Sequence, residues 1–287
     1  MLVIFVLSSL IRFIPTDALG AGVDPYLAVA ILQLFIFAVP SLIYMKLFFA
    51  DRMPSLRFRL PKSRHIVFMT SAFLVAVTAS ALINYGMSSL FPDVYRATSA
   101  SAQASLSGSV SGGLYAVLTF AIVPALVEEF LFRSIVVAEF ECAGVGAAVI
   151  FSALTFAMSH FSFVRLPVYF VSGLILVFVL YVTRSVIASM IVHALTNTAA
   201  LFFEDIVYRV VNRQGIVLFV FAVATLLLIF TAVMFGEAGR IYSGYGMMNE
   251  KADYRVRRKE KVSLFAAAFS PAFLVLAVFY IVMSAVS

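Results

Sequence analysis

The sequence has few charged residues and a single cysteine, and each shortage excludes a class of protein. Charged residues make up only 12% of the 287 residues, whereas they form about a quarter of a soluble globular domain. The one cysteine, Cys142, excludes an intramolecular disulfide and a metal site built from several cysteines. Polar stretches are too short to form a soluble domain, and no tandem repeat is present. A soluble globular protein and a disulfide scaffold are therefore excluded.

Hydrophobic residues, in contrast, make up 63% of the chain. They form continuous runs of about 18 residues or more, which indicate transmembrane helices. Eight segments are predicted, at 25–49, 66–90, 112–140, 146–163, 166–183, 185–203, 215–236 and 264–286. Residues 1–14 are predicted to form a short first helix or an interfacial anchor rather than a cleaved signal. We therefore predict an all-α, polytopic integral membrane bundle of eight or nine transmembrane segments.

The positive charge lies mainly in two loops beside predicted spans. Of the lysines and arginines, six lie in 46–64, one is Arg184 and seven lie in 240–261, which places fourteen on one side of the membrane. The other side receives the four that remain in predicted loops: Arg96, Arg165, Arg209 and Arg213. This bias predicts that the basic loops are cytoplasmic. The loops are predicted to contact the lipid bilayer, including anionic lipid, and not nucleic acid.

Charged residues also occur where the surrounding sequence is apolar. Glu128 and Glu129 are adjacent in the segment 112–140, and Arg133 follows four residues after the second glutamate. A carboxylate at mid-membrane depth costs about 2.5 kcal/mol or more. Glu129 and Arg133 share a helix face and can pair, whereas Glu128 points about 100° away around the helix. The three residues are predicted to mark a functional site.

Two of the three histidines lie in predicted spans. His160 follows Phe156 by four residues and His193 precedes Asn197 by four, so each pair shares one helix face. At about 1.5 Å per residue, Glu128, His160 and His193 lie roughly 18, 21 and 14 Å from the cytoplasmic ends of their helices. These depths are near the middle of a core about 30 Å thick. The polar groups are therefore predicted to meet in one layer.

Such a cluster admits several functions. A carboxylate and an imidazole can deprotonate water, and an imidazole and an amide can stabilise an oxyanion; together they suffice for peptide hydrolysis without a serine or cysteine nucleophile. Two histidines and a glutamate can also hold zinc, although the His-Glu-x-x-His motif is absent. The polar residues can instead form a structural ion pair and backbone contacts. Proton-coupled transport also uses buried glutamate and histidine, but the sequence shows no inverted repeat.

Three motifs on successive predicted helices resemble the CAAX protease and bacteriocin-processing family of intramembrane endopeptidases. They are Glu128-Glu129-x-x-x-Arg133, Phe156-x-x-x-His160 and His193-x-x-x-Asn197. This family includes the type II CAAX prenyl endopeptidases and bacterial abortive-infection-type proteins. The resemblance implies a CAAX-type or bacteriocin-processing or immunity-type protease in a prokaryotic plasma membrane, with a membrane-associated peptide or protein as its substrate.

The resemblance also implies roles for the motif residues. Glu128 and His160 activate the water, and His193 and Asn197 form the oxyanion hole. The other motif residues support the site: Glu129, Arg133 and Phe156. The implied mechanism is metal-free and needs no cofactor; a zinc-dependent variant would use Glu128, His160 and His193 as ligands. A further family element is present at Phe170 and Gly173, but Val177 stands where the family has a small residue, which argues against tight helix packing there.

The predicted regions are 1–65, with N-terminal membrane segments and a basic loop, 66–236, the protease-like core, and 237–287, with a basic loop and a C-terminal transmembrane helix. Within the core, residues 97–113 are small and polar. They are predicted to form a flexible, non-cytoplasmic loop, or alternatively a mobile flap or a close-packed small-residue helix over the site. An intramembrane endopeptidase is the predicted function, and a proton-coupled transporter and a non-catalytic immunity or scaffold protein are the alternatives.

Overall fold

The computed structural model describes residues 4–7, 25–48, 56–92, 110–248, 266 and 268–286. This part of the chain contains helices and their connections and no strand. Five of its helices are long and apolar enough to cross a membrane, and three shorter apolar helices accompany them. The prediction of an all-α, polytopic membrane bundle is therefore confirmed.

The α-helices are numbered in chain order. They are α1 (Pro25–Gln33), α2 (Val39–Phe48), α3 (Ile66–Leu90), α4 (Val110–Val117), α5 (Val123–Glu129), α6 (Val137–Phe140), α7 (Val145–Met158), α8 (Leu166–Thr183), α9 (Val186–Gln214), α10 (Ile216–Met247) and α11 (Pro271–Val286). π-Helical turns at Leu34–Ala38, Leu118–Ile122 and Phe130–Val136 join α1 to α2, α4 to α5 and α5 to α6. The α4–α6 segment is therefore one continuous membrane span, Gly113–Ala143.

Two of the π-helical turns end two residues before a proline. Pro40 and Pro124 are the second residues of α2 and α5, so the carbonyl four residues before each lies within a π turn. Proline lacks a backbone N–H and its ring clashes with that carbonyl in a regular α-helix. The wider π turn accommodates the ring without ending the helix. Pro271, which the sequence places inside a span, is instead the first residue of α11.

The helices that carry the predicted site pack around a common core. One cluster of buried side chains joins α3, α8, α9 and α10, and Phe68, Val179 and Val192 are among its fully buried members. A second cluster includes Val127 of α5, Phe132 of the following π-helical turn and Phe156 of α7. The side chains of α9 face α5, so the segment with two glutamates is covered by the segment with His193.

Besides the break before Pro271, three predicted boundaries are wrong. The segment 146–163 ends as a helix at Met158, and the segments 185–203 and 215–236 continue to Gln214 and Met247. Hydropathy measures apolar content and not helix formation, so it does not register where a helix continues with polar residues or ends within an apolar run. His160 consequently lies in the turn after α7 and not on a helix.

Some predictions concern residues that the structure does not describe. They are the N-terminal segment apart from residues 4–7, the small-residue loop up to residue 109, and the second basic loop from residue 249 onward. In the first basic loop, Arg57 is only 4% exposed and pairs with Glu141. That arginine is therefore part of the folded core and does not contact lipid.

Candidate active site

Glu129 lies at the centre of a buried ion cluster. Its side chain is fully buried, and its Oε2 lies 3.0 Å from Arg133 Nε. The Nε–H is not aligned for a hydrogen bond, so this contact is an ion pair. Arg133 Nη2 donates a 3.3 Å hydrogen bond to the carbonyl of Gly173, and its guanidinium lies 4.5 Å from the ring centre of Phe156. The predicted Glu129–Arg133 pair is therefore present and is anchored to α8.

His193 joins this cluster from α9. Its Nδ1 lies 2.9 Å from Glu129 Oε1, so Glu129 divides its two oxygens between Arg133 and His193. The Nε2 atom of His193 lies 4.0 Å from Glu128 Oε2. An ionised carboxylate only accepts hydrogen bonds, so Nδ1 of His193 carries a proton and Nε2 is the atom turned towards Glu128.

Glu128 is the less enclosed of the two glutamates. It is 8% exposed, and its Oε2 atom is buried. Among the residues that the structure describes, none donates a hydrogen bond to that oxygen. A buried carboxylate oxygen without a protein donor is a position at which water or a substrate group can bind.

His160 is held by contacts on two sides of its ring. Its Nδ1 lies 2.9 Å from the carbonyl oxygen of Phe156, which can only accept, so Nδ1 donates and Nε2 is the basic nitrogen of the neutral ring. The ring stacks on Tyr169 at 3.8 Å between centres and 20° between planes. Tyr169 is not among the predicted site residues, because a single tyrosine at the start of an apolar helix gives no signal in the sequence.

Phe156 connects the two histidines. Its ring centre lies 5.1 Å from that of His160 and 5.5 Å from that of His193, in edge-to-face contacts. The two imidazole centres therefore lie no further apart than the sum of these distances. Asn197 lies one turn beyond His193 on α9 and is half-buried. The structure brings Glu128, Glu129 and His193 into direct proximity and places His160 beside them across one aromatic ring.

Gly173 brings α8 close to α7. A Cβ atom on Gly173 would lie 2.9 Å from Ala153 Cα, a distance that real Cβ atoms do not show. Val177, one turn further along α8, is fully buried. The helices are therefore tightly packed at this point even though Val177 replaces a small residue, and the same glycine offers its carbonyl to Arg133.

The zinc alternative requires Glu128, His160 and His193 as ligands. Both histidines use Nδ1 for a hydrogen bond, which leaves Nε2 as the ligand atom, as is usual in metal-binding histidines. Within the described ranges, however, no three His, Cys, Asp or Glu side chains converge closely enough to hold a metal ion. As they are placed, these residues do not form a zinc ligand set.

Comparison with known protein families finds a match to the middle of the chain. Residues 110–199 match the sequence model of a family described as type II CAAX prenyl endopeptidase Rce1-like. This central segment, called the Rce1-like segment below, is similar to that family. The match confirms the resemblance to the CAAX protease and bacteriocin-processing family. It covers just under a third of the 287 residues, and no curated protein and no solved structure matches the chain.

The Rce1-like segment contains every residue that the sequence predicts for the site. It begins at the start of α4, before Glu128, and ends two residues after Asn197. The family is one of proteases, so the match supports a membrane-embedded hydrolase. The wider core predicted at 66–236 stays a prediction.

Proposed function

We propose that this protein is an intramembrane endopeptidase in which Glu128 activates a water molecule. The observation that carries the proposal is the position of the Glu128 carboxylate. Its buried Oε2 faces His193 Nε2 across 4.0 Å, and none of the described residues donates a hydrogen bond to that oxygen. A water bound to Glu128 and a carbonyl oxygen bound to His193 would both lie near one carbon atom, as attack on a peptide bond requires.

In the proposed reaction, Glu128 accepts a proton from the water while the water oxygen bonds to the peptide carbon. The basic Nε2 of His160 orients the same water, since Nδ1 is held by the Phe156 carbonyl. The carbonyl oxygen becomes an oxyanion, which receives hydrogen bonds from His193 Nε2 and the amide of Asn197. Glu128 then returns its proton to the nitrogen as the carbon–nitrogen bond breaks, which gives a carboxylic acid and an amine.

Glu129 and Arg133 have a positioning role in this proposal. His193 already donates from Nδ1 to Glu129, so it can donate from Nε2 only as an imidazolium. The negative charge of Glu129 stabilises that imidazolium and fixes its orientation. Arg133 in turn fixes Glu129 through its ion pair and is itself held by the Gly173 carbonyl.

Quantitative membrane proteomics with labelled new N-termini tests the proposal. Cells that carry the wild-type protein are compared with cells that carry Glu128→Gln, and Cys142→Ala is the control because Cys142 bonds to Glu139 O within its own helix turn. We expect at least one cleavage product that is present with wild type and Cys142→Ala and lost with Glu128→Gln. Identical termini in all three strains would contradict the proposal, and ion-gradient-driven uptake in liposomes would support the transporter instead.

A further inference from the structure

The two ends of the helix bundle differ, and one end is closed by the first basic loop. There Arg57 Nη2 lies 2.7 Å from Glu141 Oε1, and the hydroxyl of Tyr181 donates to the same oxygen at 2.9 Å. The backbone of Arg57 also accepts a hydrogen bond from Val186 N at 3.0 Å. Arg57 and Glu141 are 4% and 6% exposed. We call this end of the molecule the basic end.

Further contacts complete the closure of the basic end. Tyr245, at the end of α10, donates to the carbonyl of Val182 at 3.0 Å and lies 3.4 Å from His65 Nε2. The guanidinium groups of Arg184 and Arg64 lie 3.8 and 4.7 Å from its ring centre. His65 and Tyr245 are both almost fully buried. The residues that the structure describes at this end therefore form a packed layer, which disfavours entry of a substrate from the basic end.

The polar residues of the candidate site become more exposed towards the opposite end. Glu129 and Arg133 are at most 1% exposed, and His193 is 4% exposed. Asn197 lies one turn further along α9, away from the basic end, and is half-buried. His160, in the turn that connects α7 to α8 at the opposite end, is half-buried as well. The gradient in exposure therefore points away from the basic end.

The connection between α7 and α8 is polar and irregular, which favours an aqueous cavity at this end of the bundle. α7 has 14 residues and is therefore about 21 Å long, which is shorter than a hydrocarbon core of about 30 Å. The irregular turn that follows it contains Ser159, His160 and Ser162, and Ser162 Oγ accepts a hydrogen bond from Arg165 N. Irregular backbone at membrane depth is tolerated only inside protein or beside a water-filled cavity. A half-exposed polar turn at this depth fits an aqueous cavity.

Loop charge then relates this opening to a side of the membrane. The predicted spans assign fourteen of the loop lysines and arginines to the side of the first basic loop and four to the opposite side. Such a bias places the basic end in the cytoplasm. The end that carries the α7–α8 turn then faces outward.

We propose that the candidate site opens to the extracytoplasmic side and takes peptide segments located there, such as the outer juxtamembrane part of a membrane-anchored protein. The substrate would then not be a cytoplasmic C-terminal tail. The choice of a peptide substrate rests on the proposed function, whereas the direction of the opening rests only on the fold and the loop charges.

Cysteine labelling in intact cells tests the direction of the opening. In a Cys142→Ala background, Ser162→Cys places a thiol in the α7–α8 turn. The control, Ser63→Cys, places a thiol at an exposed position of the first basic loop, just before α3. With a membrane-impermeant maleimide, we expect Ser162→Cys to be labelled in intact cells and Ser63→Cys only after permeabilisation. Phe163 is 48% exposed in the wild-type protein, so Phe163→Cys provides a second position in the same turn. Labelling of both turn positions only after permeabilisation, or of neither, would overturn the proposal.

A second measurement separates the opening from the activity. Intact cells are given an impermeant fluorogenic peptide that contains a cleavage sequence found by the proteomic comparison. We expect external cleavage that Glu128→Gln abolishes. If Ser162→Cys is labelled from outside and no peptide or protein is cleaved in any assay, the proposed function is wrong. The proposed direction of the opening would still hold in that case. If cleavage occurs only in inverted vesicles, the extracytoplasmic substrate class is wrong.

Discussion

At the scale of single residues, Glu129 is a carboxylate whose complete burial requires compensating partners. It is fully buried and makes contacts of 3.0 and 2.9 Å to Arg133 and His193. A buried carboxylate is tolerated only when charged or hydrogen-bonding partners compensate its lost hydration. The pairing that stabilises Glu129 also fixes which nitrogen of His193 faces Glu128, so the structural and the proposed catalytic roles are linked.

We predict that Glu129→Gln lowers kcat by about a hundredfold or more and changes KM little. The amide keeps an oxygen for His193 Nδ1 but removes the charge that stabilises the imidazolium. Glu139→Gln, on the same membrane span and outside the site, is the matched control. The measurement is steady-state cleavage by purified protein, with thermal unfolding followed in parallel. An unchanged kcat in a folded Glu129→Gln protein would contradict the role given to Glu129.

Asn197 provides a second prediction at this scale. Asn197→Ala should lower kcat by a factor of about a hundred to a thousand with KM little changed, because one oxyanion donor contributes about 2.7–4 kcal/mol to the transition state. Thr198→Ala is the control, since the hydroxyl of Thr198 is bonded to Ala194 O within α9. A rise in KM without a fall in kcat would mean that Asn197 binds substrate and does not stabilise the oxyanion.

At the scale of elements, the contact between α7 and α8 sets the geometry of the site. Gly173 permits the two helices to approach at Ala153, and its carbonyl accepts a hydrogen bond from Arg133. Ser152, the residue before Ala153, donates to the carbonyl of Phe132 at 3.0 Å, so α7 is also tied to the segment with the glutamates. Three successive spans are therefore connected within one turn of the ion cluster.

Gly173→Ala is predicted to lower the free energy of unfolding by about 1–3 kcal/mol, because the added Cβ would overlap the α7 backbone. Gly146→Ala is the matched control: its Cβ meets nothing within 4 Å, and alanine stabilises a helix by about 0.5–1 kcal/mol relative to glycine. Unfolding in detergent micelles measures both variants. Equal stabilisation by the two substitutions would show that α7 and α8 are not in close contact at Gly173.

The sequence predicts the helical segments well because long apolar runs have one stable form in a membrane. It does not predict the end of α7. Phe161 adopts a left-handed backbone conformation at φ 47°, which is strained for a bulky residue. Its buried ring packs against Phe5 and Tyr280, and these distant contacts hold the turn. Hydropathy carries no signal for such a turn, because phenylalanine also suits a helix interior.

The candidate site is predictable in part for a related reason. Spacing along one helix places Glu129 and Arg133 together, and the structure has that pair. Spacing contains no information on how two helices are rotated relative to each other. The helix depths predict that the glutamates and His193 meet in one layer, but they do not specify the contact between Glu129 and His193, which are 64 residues apart. The stacking of Tyr169 on His160 has no signal in the sequence.

At the scale of the whole molecule, polarity is distributed between the interior and the two ends. Large apolar side chains are exposed along α10, where Val217 is 80% and Leu228 is 72% exposed, as expected for a surface in contact with lipid. Among the described residues, buried charges occur in two separate places. One is the Glu129 cluster within the bundle, and the other is the Arg57–Glu141 pair at the basic end. A membrane-embedded hydrolase needs such a division, because water must reach the proposed site without a continuous path through the protein.

The most direct test of the proposed mechanism is the cleavage rate of purified, chelator-treated protein on one identified peptide substrate, with its zinc content measured on the same sample. We predict that the wild-type protein cleaves without stoichiometric zinc and that Glu128→Gln, correctly folded, lowers kcat by about a thousandfold or more. Cleavage by Glu128→Gln at the wild-type rate would contradict the role of Glu128. Loss of wild-type activity on chelation, restored by zinc alone, would contradict the metal-free mechanism.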